Sequence, residues 1–276
     1  MIKRILVPTD GSEYASVGVR FAVALARRYK AALVGLHVVD IRLLEGPFLR
    51  DISASLGTAP YVNYQGNISL ILEERGRAAL EAFRRICEDE GVVCEAVQTT
   101  GVVVRSILEK SELADLIVMG RGGEHGQWLD GLVGSTTAGV VRGAKQPVLI
   151  TGIDTPGTKR CVAAYDGSPH AKRALQAAAN IAVDWRMACH VLVVGDDKAS
   201  ALLDEARAYL DTHDVKAEYA LREGDPSETI VAYAKECAAD LLIMGAYGHT
   251  KVRQLVVGST TAYALNNAPC PLLLSR

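Results

Sequence analysis

Long hydrophobic runs are missing from this sequence. None reaches the roughly 18 apolar residues of a membrane span, and the opening run Ile5-Leu6-Val7-Pro8 is too short for a secretory signal. A cytoplasmic protein that engages no membrane is the expectation. An excess of charge of one sign is missing as well: 30 Lys and Arg stand against 32 Asp and Glu, for a formal net charge of −2. A surface that attracts DNA or RNA would need a basic surplus, so nucleic acid is not an expected partner. The six cysteines, Cys87, Cys94, Cys161, Cys189, Cys237 and Cys270, never form a C-x-x-C pair. That spacing argues against a disulfide framework or a zinc site and for reduced, mostly buried thiols. Also absent are the Gly-Lys-Ser/Thr of a Walker loop and a G-x-G-x-x-G directly after the first strand.

What is present is a foldable composition, 49% apolar and 22% charged over 276 residues. At roughly 100 to 200 residues per domain, that length suits two domains. The chain also repeats itself. Lys3-Arg4-Ile5-Leu6-Val7-Pro8-Thr9-Asp10-Gly11-Ser12 is echoed by Lys159-Arg160-Cys161-Val162-Ala163-Ala164-Tyr165-Asp166-Gly167-Ser168. Asp115-Leu116-Ile117-Val118-Met119-Gly120 returns as Asp240-Leu241-Leu242-Ile243-Met244-Gly245, and Gly134-Ser135-Thr136-Thr137 as Gly258-Ser259-Thr260-Thr261. The landmarks keep their order, so one domain is duplicated. The copies are expected at 1–152 and 158–276, joined by the turn-rich stretch Gly152 to Thr158.

Short, continuously apolar runs alternate with helical patterns, as parallel strands covered on both faces require. In the first copy strands are predicted at 3–8, 32–39, 92–98, 115–119 and 147–151. Ser168-Pro169 and Asp225-Pro226-Ser227-Glu228 read as helix starts. Two tandem five-stranded α/β sandwiches of Rossmann-like type follow. Copy one carries an extra stretch, about 41–67, with Leu43, Leu44, Pro47, Phe48, Leu49, Tyr61 and Tyr64. It reads either as a lid or partner-binding loop or as a packed surface excursion.

Ligands of open parallel sheets bind outside the carboxyl ends of the strands. There each copy places Asp10 or Asp166 after the first strand, and a glycine-rich loop leading to Gly-Ser-Thr-Thr after the fourth. Glycines admit an anion close to the backbone, and a helix start favours negative charge. Each feature alone also reads as an ordinary turn or cap, but both copies carry all of them. His37 and His190 sit in apolar runs and read as core histidines, whereas His125 and His249 lie on the glycine-rich loops. Arg121 is the best cationic candidate for a phosphate in copy one.

These residues resemble the universal stress protein family, and specifically its tandem, ATP-binding members with an adenine nucleotide alpha hydrolase-like fold. The subgroup's Gly-x2-Gly-x9-Gly-Ser/Thr is matched at Gly245, Gly248, Gly258 and Ser259; copy one has ten residues, not nine, between Gly123 and Gly134. The resemblance implies that Asp10 with Pro8 and Thr9, and Asp166 with Ala164 and Tyr165, lie beside the adenosine. It implies that the backbones of Val38 and Val194 read the adenine edge, that Met119 and Met244 pack on the base, and that Gly120 and Gly245 lie near the ribose. Arg121, Gly123, Gly248, His249, Ser135, Thr136, Thr137, Ser259, Thr260 and Thr261 would surround the phosphates. ATP is the implied cofactor, with Mg²⁺ carried by the phosphates and no dedicated metal site. No convincing set of hydrolytic groups is visible, so any turnover is expected to be slow or to need a protein partner. The expected function is an ATP-binding stress-response or signalling module; a slow ATPase acting with a partner and a structural protein with an empty pocket are the alternatives. The resemblance further implies pairing through last strands. Val148-Leu149-Ile150 and Leu272-Leu273-Leu274 would meet within one chain as a pseudo-dimer, leaving a homo-dimer of chains open.

Overall fold

Each repeat opens with an apolar strand whose start is pinned by an aspartate from a later strand. The computed structural model describes residues 2–45, 61–123, 133–152, 157–246 and 258–276, apart from the side chains of 44, 45 and 61–67. In it, Asp115 Oδ2 accepts the main-chain N–H groups of Lys3 (2.7 Å) and Arg4 (2.9 Å). Asp240 Oδ2 does the same for Lys159 and Arg160, both at 2.8 Å. The repeated aspartate therefore serves the ladder: it satisfies two strand-start donors that no neighbouring strand reaches.

The chain gathers into two units, Met1–Met119 and Gly120–Arg276. The first holds β1 (Arg4–Pro8), α1 (Glu13–Tyr29), β2 (Ala32–Asp40), α2 (Ile41–Glu45), α3 (Tyr61–Asp89), β3 (Cys94–Gly101), α4 (Val103–Ser111) and β4 (Leu116–Gly120). Its strands run parallel in the order β3-β2-β1-β4. The apolar runs of β1, β2 and β4 fill the core with Ile5, Leu6, Leu33, Leu36, Ile117 and Val118. The third strand departs from the expected continuous apolar run. It lies on the outer side of β2, and its residues Cys94-Glu95-Ala96-Val97 are no more than half-buried, which tolerates polar side chains. Gly35 in β2 has a packing reason: a Cβ there would meet the Phe83 ring of α3 at 2.5 Å. The missing side chain lets that ring, 1% exposed, lie flat on the sheet.

The second unit holds α5 (Ser135–Gly143), β5 (Val148–Thr151), β6 (Arg160–Ala164), α6 (Pro169–Trp185), β7 (Ala188–Val194), a 3₁₀ turn (Asp197–Ala199), α7 (Ser200–Thr212), β8 (Ala217–Arg222), α8 (Pro226–Glu236), β9 (Leu241–Gly245), α9 (Ser259–Asn267) and β10 (Leu272–Ser275). The strand order is β5-β10-β9-β6-β7-β8, parallel except at one seam. There β5 and β10 run antiparallel, with Leu272 opposite Ile150, Leu273 opposite Leu149 and Leu274 opposite Val148. The two last strands thus meet within the chain, and the closing segment of the first repeat packs with the second repeat. All six side chains are buried.

The helix starts follow their sequence signals. Ser168 Oγ accepts from Ala171 N at 3.2 Å with Pro169 in the first turn, and Asp225 Oδ1 accepts from Ser227 N at 2.9 Å. Within the extra stretch of copy one, residues 41–45 and 61–67 are helical; 46–60, with Pro47, Phe48 and Leu49, lie outside the described residues, as does the linker 153–156. Among the described residues no helix is long and apolar enough to cross a membrane. Because Phe83 is the largest fully buried side chain on the sheet face, Phe83→Ala is expected to lower unfolding free energy by about 3–5 kcal/mol, read by urea denaturation.

Candidate functional site

In the second unit the chain passes from β6 outward through β7 and β8, then returns to β9 on the other side of β6. Strand order reverses between β6 and β9, and in open α/β sheets ligands bind at such a point, outside the carboxyl ends of the strands. The residues at that end belong to four segments.

The first is Ala164-Tyr165-Asp166. Asp166 Oδ1 accepts from Ser168 N at 2.9 Å, Gly167 takes a φ of +75°, and Ser168 then caps α6. Copy one repeats the turn: Asp10 Oδ1 accepts from Ser12 N at 3.0 Å, Gly11 has φ +80°, and Ser12 Oγ accepts from Ala15 N. Both aspartates are exposed at the strand end, with one oxygen engaged in the turn. Tyr165 is buried, at 4% exposure. Its hydroxyl bonds Glu205 of α7, which pairs with Lys172 of α6 at 2.7 Å. Burial, reinforced by the Glu205 carboxylate, pushes the tyrosine's pKa up, while Lys172 first and then Tyr165 hold Glu205 below the usual carboxylate range. The side chain that could fill a ligand pocket is thus drawn down between helices.

The second segment is the end of β7. Tyr165 N donates to Leu192 O at 2.8 Å and Gly195 N to Arg222 O at 2.9 Å. Strand alternation then turns the main-chain groups of Val194 to the β6 side, just past the last β6 pairing. Val38 occupies the same register in copy one, beyond the bond from Thr9 N to Leu36 O. Thr9 is itself buried; its Oγ1 accepts from Gly11 N, and its carbonyl accepts from His37 Nδ1 at 2.9 Å when that nitrogen is protonated.

The third segment is Met244-Gly245-Ala246. Met244 and its counterpart Met119 are each 5% exposed. A Cβ on Gly245 would stand 2.9 Å from Ala171 N and from the carbonyl carbon of His170, so only glycine lets the end of β9 touch the first turn of α6. His170 is a site neighbour that sequence reasoning missed; burial first, then Arg173 and Arg276, depress its pKa.

The fourth is the head of α9. Gly258 is its N-cap, extended at φ −57° and ψ 148°, and supplies no side-chain acceptor. Ser259 is exposed and Thr260 half-buried, but Thr261 is buried and its hydroxyl donates to Ala246 O at 2.9 Å. The corresponding helix α5 begins at Gly134, again without a side-chain cap, and Thr137 donates to Gly120 O at 3.0 Å. Gly248 and His249, with His125, lie outside the described residues.

The longer loop of copy one has a visible effect in this unit. Thr137 holds the carbonyl of Gly120 where Thr261 holds that of Ala246, one position further on in the repeat, and Gly134 N donates to Arg121 O at 3.0 Å. Arg121, picked out for phosphate, is engaged elsewhere. Its Nη2 donates to Ala268 O at 2.9 Å and its Nη1 to Asn266 O at 3.4 Å, so the guanidinium closes the carboxyl end of α9. Gly123 follows it as a half-buried loop residue.

Comparison with known proteins agrees with this architecture. The sequence model of the universal stress protein family matches residues 1–152 and again 157–276. The chain belongs to the universal stress protein family. Universal stress protein Slr1230 of Synechocystis is 29% identical over 289 residues, covering 100% of both chains. Universal stress protein MJ0531 of Methanocaldococcus jannaschii is 32% identical over 152 residues, which is 54% of this chain and 82% of that one. The crystal structure of a universal stress protein from Archaeoglobus fulgidus superposes with a TM-score of 0.79 at 22% identity, covering 99% of this chain and 98% of that one. This universal stress protein is thus a tandem member of its family.

The Tyr165 network gives a pH test. A pKa raised by folding favours the protonated form, so its contribution is whole below pH 10 and is lost as pH rises further. Tyr165→Phe should cost about 1 kcal/mol at neutral pH and flatten the decline of thermal stability above pH 10 relative to the parent.

Proposed function

We propose that this universal stress protein binds an adenine nucleotide, ATP being the first candidate, at the carboxyl ends of β6 and β9 in its second repeat, and acts as a nucleotide-dependent binding module. The observation that carries this is the head of α9. The side chains of Ser12, Ser168 and Asp225 cap α1, α6 and α8, whereas α9 starts on a glycine after a glycine-rich loop. No side chain at its N-cap takes its first amides, and the dipole of a helix start suits an anion.

In this reading the phosphates take the amides of Ser259 and Thr260, together with Ser259's hydroxyl, and Thr261 fixes the loop beneath them. Gly248 and His249 belong to the same loop. Met244 and Ala164 line the base side, Val194 supplies main-chain groups for the adenine edge, and Asp166 stands at the ribose. Arg173 and Arg276 add positive character around His170, which lies against Gly245 and whose own depressed pKa favours the neutral ring. Copy one carries the same residue types in sequence: Pro8, Asp10, Val38 and Met119, then Gly134, Ser135 and Thr136. Among the described residues no three His, Cys, Asp or Glu side chains gather around a metal position. Mg²⁺ therefore enters this reading on the phosphates. Among the described residues at this end of the sheet none pairs a water-activating base with a charge clamp, and the reading is therefore one of binding.

Gly258→Asp tests the proposal, since a Cβ there meets nothing nearer than Thr261 Oγ1 at 4.0 Å. The new carboxylate would cap α9 as Asp225 caps α8, raising helix stability by a few tenths to about 1 kcal/mol, while filling the anion position with like charge. Calorimetric titration should show ATP affinity reduced by at least about tenfold, a loss of about 1.4 kcal/mol, with the melting temperature kept or raised. Unchanged affinity in that variant, or no binding by the parent, would remove the proposal.

A further inference from the structure

At the opposite end of the second unit's sheet, away from the strand carboxyl ends, lies a group of reactive side chains that the nucleotide reading does not use. Cys237 follows the last turn of α8, just before β9 begins, and is partly exposed. His190, the third residue of β7, is buried beneath it, and three groups converge on its Nδ1. Cys237 Sγ stands at 3.8 Å, the Tyr233 hydroxyl at 3.4 Å and Glu218 Oε2 of β8 at 3.6 Å.

We propose that Cys237 is a site of reversible thiol modification that takes a low-molecular-weight disulfide, because its sulfur lies against an imidazole base and a phenol donor. The thiol passes its proton to His190 Nδ1, and the sulfur attacks one sulfur of the reagent. A protein–reagent S–S bond forms, the reagent's own S–S bond breaks, and the departing thiolate takes the proton back from the imidazolium. One disulfide is consumed and one made, with no other oxidant.

The surroundings suit that step. The Glu218 carboxylate, 3.6 Å from Nδ1, stabilises the imidazolium. Tyr233 is buried against Cys237, and burial, with that contact, pushes its pKa up, so it stays a proton donor toward the sulfur. Arg222 lies over the Tyr233 ring at 5.4 Å and pairs with Glu236, so these two charges offset one another. The carboxyl end of α8 opposes a thiolate, which is why the proton acceptor beside it matters.

The other cysteines are poorer candidates. Cys87 and Cys270 are buried and pushed up to about 12, mainly by burial. Cys161 and Cys189 face each other inside the sheet. Cys94 is partly exposed, but its thiol contacts buried Cys87.

The test treats the full chain, without nucleotide, with oxidised glutathione from pH 6 to 9 and follows each cysteine by peptide mass spectrometry. Cys237 should carry the glutathionyl group first, about tenfold faster than Cys94 at pH 7. His190→Gln should remove that advantage and move the Cys237 profile to the alkaline side. If circular dichroism shows that this variant is not folded, Glu218→Gln decides, since its side chain is largely exposed: it should slow Cys237 several-fold at pH 7. Reaction at Cys94 as fast as at Cys237, or a Cys237 pH profile unmoved in the folded variant, would overturn the proposal.

Discussion

The head of α9 is the constraint around which the second repeat is organised. A helix start leaves amide donors that something must satisfy, and this chain satisfies them with side chains at α1, α6 and α8 but not at α9. The chain just past β9 is held to that helix. Thr261 does this through Ala246 O, and Ala246 N is in turn held by Ser275 O of β10 at 2.8 Å. The strand end must also sit close to α6, which the bare Cα of Gly245 permits. Gly245 and the Thr261 hydroxyl thus tie the end of β9 to the first turns of α6 and α9.

The features that could be read in the sequence are those whose cause is local. Ser168 and Asp225 announced helix starts because a cap needs only the residues two or three positions ahead. The apolar runs announced β1, β2, β4 and β5 because burial on both faces leaves no place for a polar residue. The third strand resisted because it lies outside β2 with one side less covered. Distance in sequence hid the rest. Arg121 looked like a phosphate ligand since its loop was glycine-rich, yet its guanidinium meets carbonyls 145 and 147 positions away. Tyr165 was expected beside the adenosine, and nothing near it in the chain pointed to Glu205. His170 stood in view one residue after Pro169, but only the contact with Gly245 shows why its place matters.

Duplication has let the two loops diverge. A domain whose last strand is wholly apolar must find a partner for it, because an exposed ladder edge invites aggregation. Here β5 and β10 supply each other, so the pairing is present in every chain at any concentration. Around that seam the repeats no longer use the same residues. Arg121 closes α9, whereas Arg276 donates to Ala144 O at the end of α5. Arg121 follows the fourth strand of its repeat and Arg276 follows the last, so similar capping chemistry arises from different positions.

The same divergence bears on what each repeat can hold. In copy one the Gly134 amide, the first donor of its helix head, is spent on Arg121 O, and the additional loop residue shifts the threonine anchor to Gly120. An anion arriving there must compete with a bond the chain already makes, and it would find no guanidinium, since Arg121 is committed to α9. In copy two the loop has the shorter length and the Ala246 carbonyl is taken by a side chain rather than by the Gly258 amide. The identity of Thr137 and Thr261 in sequence therefore conceals a difference in which carbonyl each one holds, Gly120 in the first repeat and Ala246 in the second. The amide of Gly134 is taken by Arg121 O, so the nucleotide proposed above is assigned to the second repeat.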